Sequence, residues 1–269
     1  GEAEDRYDEI EKILSQGISL LPRTEEADYK QTREYVAELD GFILDLESDV
    51  VNLRDFTWKG RTTSEERLSQ YFYEKLWEIP LFNRMELIAG FLIDEEETLR
   101  GADMEEEEKE QLIWRMNGMY ETMDLFTLYN RFLASTGREP LELKDGMIRY
   151  EDVYPLLYLK ISLWKQKDKI EVKHLIIDEM QDYSYLQYRI LAKMFSCPMT
   201  ILGDRMQTMG ETQVDVLSFL PGIFGKDLYR MELSKSYRST VEILELAAAV
   251  SGEKTINCIS RQGRKPMWY

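Results

Sequence analysis

The sequence predicts an α/β chain: part of a parallel sheet with crossover helices, preceded by a large helical region. Three observations point there. Beyond residue 150, short apolar runs alternate with segments of helical period, the pattern of strand–helix–strand units. Before that point, apolar residues recur almost throughout at three- and four-residue spacing. The charge balance changes at the same place: residues 1–150 hold 36 acidic and 18 basic side chains, and residues 151–269 hold 15 and 16. A boundary is therefore expected at Tyr150, dividing an acidic, mainly helical part, 1–150, from a sheet-bearing part, 151–269.

The helical part builds up as follows. Tyr7, Ile10, Ile13 and Leu14 lie at helical spacing, and Tyr29 to Leu53 repeats it through Val36, Leu39, Ile43, Leu46 and Val50. Ser64 is a suitable cap for a helix carrying Leu68, Tyr71, Phe72 and Leu76, with a stop at Ile79-Pro80. Glu86 to Arg100 and Met104 to Ser135 read as two more helices, the last ended by Gly137 and Pro140. The acidic runs Asp94–Glu97 and Glu105–Glu108 read as solvated helix faces, which repel phosphates and suit a basic protein better than DNA. Trp58, Trp77 and Trp114 read as packing residues.

In the second part, a helix is expected over Val153 to Trp164, then a strand ending at Ile177 and a helix over Tyr185 to Phe195. A strand to Leu202, a helix over Val214 to Leu220, a strand over Leu228 to Leu233 and a helix over Thr240 to Val250 complete the alternation. His174 opens the first strand and reads as structural. Cys197 and Cys258 are far apart and lack metal-ligand spacing, which fits a reducing cytoplasm. No run reaches the roughly 18–20 apolar residues of a membrane span.

The strand ends carry the chemistry. Leu175-Ile176-Ile177 runs into Asp178-Glu179-Met180-Gln181-Asp182. Ligands of parallel sheets sit at the carboxyl ends of strands. A carboxylate pair there suits a Mg²⁺ ligand, Asp178, beside a residue that activates water, Glu179. Alone, the same letters also suit an acidic helix cap. The next strand ends in Gly203-Asp204-Arg205-Met206-Gln207, and an amide such as Gln207 can bond a γ-phosphate or the attacking water. In Leu233-Ser234-Lys235-Ser236-Tyr237-Arg238-Ser239-Thr240, Arg238 has the planar cation suited to phosphate charge, and Tyr237 can stack on a ring.

In order and spacing, these three segments resemble the Asp-Glu-x-Gln-Asp, Gly-Asp-x-x-Gln and Leu-x-x-Asn-Tyr-Arg-Ser-Thr motifs of superfamily 1 DNA helicases of the UvrD/Rep type, in the HelD-like or helicase IV-like branch. Arg261-Gln262-Gly263-Arg264-Lys265-Pro266 resembles the lead into the second motor domain of that family. The resemblance covers residues 150–269 by motif and 1–150 by position only, where the family carries an inserted helical subdomain. It implies a partial RecA-like P-loop NTPase sheet using ATP and Mg²⁺. Asp178 would bind Mg²⁺, Glu179 would be the catalytic base, Gln207 the γ-phosphate sensor and Arg238 a γ-phosphate contact. Gln181 and Asp182 would stand behind them, and Tyr237 would border the nucleotide. Two departures stand out: Ser236 replaces the usual Asn, and Thr208-Met209-Gly210 replaces the aromatic residue that stacks on a base.

A phosphate-cradling Gly-x-x-x-x-Gly-Lys-Ser/Thr sequence is not in the chain. Trp58-Lys59-Gly60-Arg61-Thr62-Thr63 and Ser251-Gly252-Glu253-Lys254-Thr255 share its letters but not its order. The expectation is an internal piece of a longer helicase-like protein, inactive in ATP hydrolysis by itself. Single-stranded DNA is the expected partner of the whole, which would translocate along it. The alternative is a HelD-like motor that acts on bacterial RNA polymerase through the acidic helical part. A third possibility is an acidic helical scaffold with coincidental motifs.

Overall fold

The computed structural model describes residues 26–141, 148–165, 172–204, 216–225, 228–233, 235–251, 257–258 and 260–267. The expected helix over Tyr7 to Leu14 lies outside these residues. The described residues form a mixed α/β chain, mostly helical, with three two-stranded sheets. They group into two compact units, one running to Ile177 and including Tyr183–Thr200, the other holding Asp178–Asp182 and the residues from Ile201 on.

In the first unit, a short 3-10 turn, Tyr29–Gln31, leads into α1 (Arg33–Asp49). Thr32 caps α1 by accepting the Tyr35 N–H, and Tyr35, Val36, Leu39 and Leu46 form its buried face. Strands β1 (Phe56–Trp58) and β2 (Arg61–Thr63) pair antiparallel. Lys59 and Gly60, at φ +46° and +84°, form the two-residue turn between them. The Lys-Gly sequence noted above is thus a hairpin tip. Helix α2 (Glu65–Ser69), capped by Ser64 as expected, runs on as a π-helix over Gln70–Lys75.

Helices α3 (Arg84–Arg100) and α4 (Glu106–Asn117) pack on each other, and Gly101, at φ +65°, closes α3. The expected single helix over Met104 to Ser135 is instead two, α4 and α5 (Leu125–Ser135). The chain turns between them because its backbone pairs elsewhere. The Asn52 N–H donates to the Met119 carbonyl, and the Glu121 N–H donates to the Val50 carbonyl, each at 2.8 Å. Asp124 then restarts the helix by accepting the Thr127 N–H. Leu112, Met116, Met119 and Tyr120 are all buried, so apolar spacing continues through a break that it cannot reveal.

Helix α6 (Tyr150–Leu163) begins at the position where the charge balance changes, and it packs on α1, α5 and α7 (Tyr185–Met194) within the same unit. A reciprocal capping box between Ser184 and Gln187 opens α7. The core is rich in aromatic residues, including Tyr35, Phe72, Tyr129, Phe132, Tyr158 and Tyr188. Two of its buried phenols bond to carboxylates. Tyr129 donates to Asp152 at 2.6 Å, and Tyr158 donates to Asp40 at 2.6 Å.

Strands β3 (Leu175–Ile177) and β4 (Met199–Ile201) are neighbours, with the Leu175 N–H on the Pro198 carbonyl at 3.0 Å. His174 Nε2 lies 2.8 Å from Thr200 Oγ1. Ile177 is buried but Ile176 is 66% exposed, so β3 is not enclosed on both faces as an interior strand of a large sheet would be. An extended parallel sheet is not formed by the described residues.

The second unit holds α8 (Val216–Phe224), β5 (Lys235–Ser236), α9 (Val241–Ser251) and β6 (Asn257–Cys258). β5 and β6 pair in parallel. The strand expected over Leu228 to Leu233 is absent from those residues, where Tyr229, Met231 and Leu233 are exposed. Pairing starts at Lys235 instead, because a strand exists only where a partner takes its hydrogen bonds.

Candidate functional site

Ile177 is the last residue of β3, and the chain leaves the strand with Asp178 and Glu179 both exposed. Asp178 Oδ1 accepts the Glu179 N–H at 2.9 Å. Its other oxygen, Oδ2, makes no hydrogen bond or ion pair to a described residue. Glu179 adopts φ +51°, a left-handed conformation that costs a residue with a Cβ on the order of 1–3 kcal/mol and clusters at functional sites. The chain then makes one 3-10 turn, Met180–Asp182, closed by the Asp182 N–H on the Glu179 carbonyl at 2.9 Å. Met180 is buried and anchors the turn, while the two carboxylates project from it.

The end of β4 meets this turn. The Met180 N–H donates to the Leu202 carbonyl at 2.8 Å. The side-chain amide of Gln181 then spans both segments, donating to Glu179 Oε2 at 2.7 Å and accepting the Asp204 N–H at 3.1 Å. Gly203 is required by the closeness of this approach. A Cβ at that position would lie 2.4 Å from Met180 Cγ, 2.6 Å from Met180 N and 2.7 Å from Gln181 Oε1.

Of the residues singled out in the sequence, Asp178, Glu179, Gln181 and Asp182 therefore fall on one turn, joined to Gly203 and Asp204. Gln207 lies outside the described residues. Tyr237 and Arg238 follow β5 immediately and are both exposed. Among the described residues, no hydrogen bond or ion pair joins either of them to Asp178–Asp182. Ser236 is half-buried in β5. Downstream, the Val241 N–H donates to the Arg261 carbonyl and the Gly263 N–H to the Glu242 carboxylate, so Arg261–Gly263 is fastened to the start of α9. Backbone N–H groups, its own and that of Gly263, hold Glu242 below the usual carboxylate range. The second sequence with phosphate-loop letters, Ser251 to Thr255, falls mostly outside the described residues.

The donor set fits a hard divalent cation. Mg²⁺ is commonly held by one or two carboxylates, with water and substrate phosphates completing its shell. Asp178 offers one such oxygen. Among the described residues no group of three or more His, Cys, Asp or Glu side chains is arranged to hold a metal by itself. The turn thus presents one carboxylate oxygen that no described residue occupies.

The chain is similar to the ATP-dependent DNA helicase srs2 of Schizosaccharomyces pombe, with 28% identity over 137 residues. The match covers 49% of this chain and 14% of that protein. No family model matches the chain. Among the described residues, no helix is long and apolar enough to cross a membrane.

The sequence singles out the carboxylates but shows neither the steric role of Gly203 nor the double contact of Gln181. The amide is on the page as a letter; its partners lie two residues before it and 23 after it.

Proposed function

We propose that the chain is part of a longer ATP-dependent superfamily 1 DNA helicase or translocase of UvrD/Rep type, and that it carries the metal- and water-directing side of a RecA-like ATPase site. The observation that supports this reading most is the turn at the end of β3, where Asp178 and Glu179 project together and are backed by Gln181 and the Gly203–Asp204 segment. The similarity to a DNA helicase over about half of the chain points the same way.

In this reading Asp178 would hold Mg²⁺ through its carboxylate, and the ion would supply positive charge against the phosphates. Glu179 orients a water and accepts its proton. Gln207 and Arg238 contact the γ-phosphate, Tyr237 borders the nucleotide, and Asp182 supports the turn. The sequence contains no phosphate-cradling loop, so the phosphates would be held by other parts of the whole protein.

The test is ATP hydrolysis by the full-length protein with and without single-stranded DNA. Strong stimulation by DNA is the expected result, and Glu179→Gln should abolish turnover while nucleotide still binds. Turnover indifferent to DNA would turn the assignment toward a second reading, a HelD-like motor that engages RNA polymerase. The excess of acidic side chains in residues 1–150, 36 against 18 basic, favours a basic protein surface over DNA for that region.

A further inference from the structure

We infer that Gln181 is a positioning residue that holds the Glu179 carboxylate in place and ties its aim to the Gly203–Asp204 turn. The inference rests on the reading of Glu179 as the residue that directs water.

The chemistry fixes which way the Gln181 amide faces. A backbone N–H can only donate, so the Asp204 N–H must meet Oε1, at 3.1 Å. An ionised carboxylate can only accept, so Glu179 Oε2 must meet Nε2, at 2.7 Å. One planar group therefore gives its acceptor end to one segment and its donor end to the other. A carboxylate of the same reach could not serve both partners at neutral pH, because it has no proton to donate.

A glutamate side chain has three rotatable bonds. The left-handed backbone at Glu179 sets where that side chain starts, and the charge-assisted bond from Gln181 selects where it ends. The Gln181 amide is in turn located by Asp204, and the absence of a Cβ at Gly203 is what lets the two segments come this close. Withdrawal of Gly203–Asp204 would break the Asp204 bond. Gly203 and Asp204 open the Gly-Asp-x-x-Gln sequence that ends at Gln207. A displacement of Gly203–Asp204 thus releases Gln181 and, through it, Glu179, which couples the position of those two residues to the water-directing group.

The test uses the full-length protein and steady-state ATP hydrolysis. Gln181→Ala and Gln181→Glu should each lower kcat by about 10- to 100-fold, the usual effect of losing a partner behind a reacting group, with KM for ATP changed by no more than about twofold. Gln181→Glu is the sharper variant, because it keeps the size of the side chain and its acceptor for Asp204 while replacing the donor with a second negative charge. A space-filling role would leave that variant near wild type. It also carries the test if Gln181→Ala does not fold. Wild-type kcat in Gln181→Glu, or a raised KM with unchanged kcat, overturns the inference if Glu179→Gln is inactive. Retained turnover in Glu179→Gln removes the reading of the site itself, and the inference with it.

Discussion

Lys30 and Asp152 form an ion pair of 2.6 Å in the interior of the helical unit, although 122 positions separate them in the sequence. Both side chains are at least 95% buried. Asp152 also accepts from Tyr129, whose hydroxyl lies 2.9 Å from that of Tyr35. The network ties the start of the described chain to α5 and α6. Removing one partner leaves a buried charge uncompensated, and Lys30→Met or Asp152→Ala should each cost about 3–5 kcal/mol. Urea denaturation of the single variants and of Lys30→Met/Asp152→Leu checks this. The double replacement should recover much of the loss, and single losses below about 1 kcal/mol would place the pair with ordinary surface ion pairs.

Gly203→Ala should damage the candidate site specifically. The new methyl would sit 2.4–2.7 Å from Met180 and Gln181, and overpacking of this kind costs about 1–3 kcal/mol. Hydrolysis by the full-length protein should fall at least about tenfold, by analogy with the loss of other supporting contacts around a reacting group. Gly222→Ala in α8, where nothing lies within 4 Å of the added carbon, serves as the control and should behave as wild type. Equal activity in the two variants would show that the approach of β4 to the turn is irrelevant to chemistry.

The tyrosine-rich core predicts sensitivity to alkali. Burial raises the phenols of Tyr35, Tyr120, Tyr129, Tyr158 and Tyr188, and burial together with the Tyr150 contact pushes Tyr154 up to about 12. The folded chain thus holds these protons more tightly than the unfolded chain does. Their contribution is complete below the unfolded value of about 10 and is lost as pH rises through the shifted values. Urea midpoints should be flat from about pH 7 to 9 and fall steeply beyond about 10, with phenolate absorbance appearing as the unit unfolds. Normal titration of all the tyrosines in the folded protein would contradict the packing.

At the acid end, Glu38 and Glu97 act in the opposite sense. Burial pushes Glu38 up, but its ion pair with Arg138 at 2.8 Å and the Tyr29 hydroxyl at 2.7 Å outweigh this and hold it below the usual range. Glu97 is held down by the Met104 N–H and by Lys109. Such groups stabilise the fold above their unfolded value of about 4.3 and lose that contribution as pH falls through the lowered one. Stability should therefore drop below about pH 4, and Arg138→Gln should flatten that slope. An unchanged slope would remove the Glu38 pair from the acid response.

What the sequence disclosed was local. Ser64 and the Asp178-Glu179 pair are each written within four residues, and the one caps its helix and the other ends β3 as expected. The break between α4 and α5 was illegible because the buried series Leu112, Met116, Met119 and Tyr120 keeps helical spacing while the backbone bonds to Val50 and Asn52. The strand placed over Leu228 to Leu233 failed because pairing depends on a distant partner; among the described residues Asn257–Cys258 pairs with Lys235–Ser236 instead. The link from Gln181 to Asp204 is equally nonlocal. Letters show which groups exist, but only the approach of β4 shows what they touch.

The left-handed backbone at Glu179 sets two selective pressures against each other. A position at φ +51° is most comfortable for Gly, and next for Asn. A pooled library at residue 179, sorted by survival of heating, should enrich those two residues over Glu. Sorted by motor activity, the same library should discard them. The two rankings would run in opposite directions at a single codon, and their inversion would mark the place where this chain gives up ease of folding in favour of chemistry.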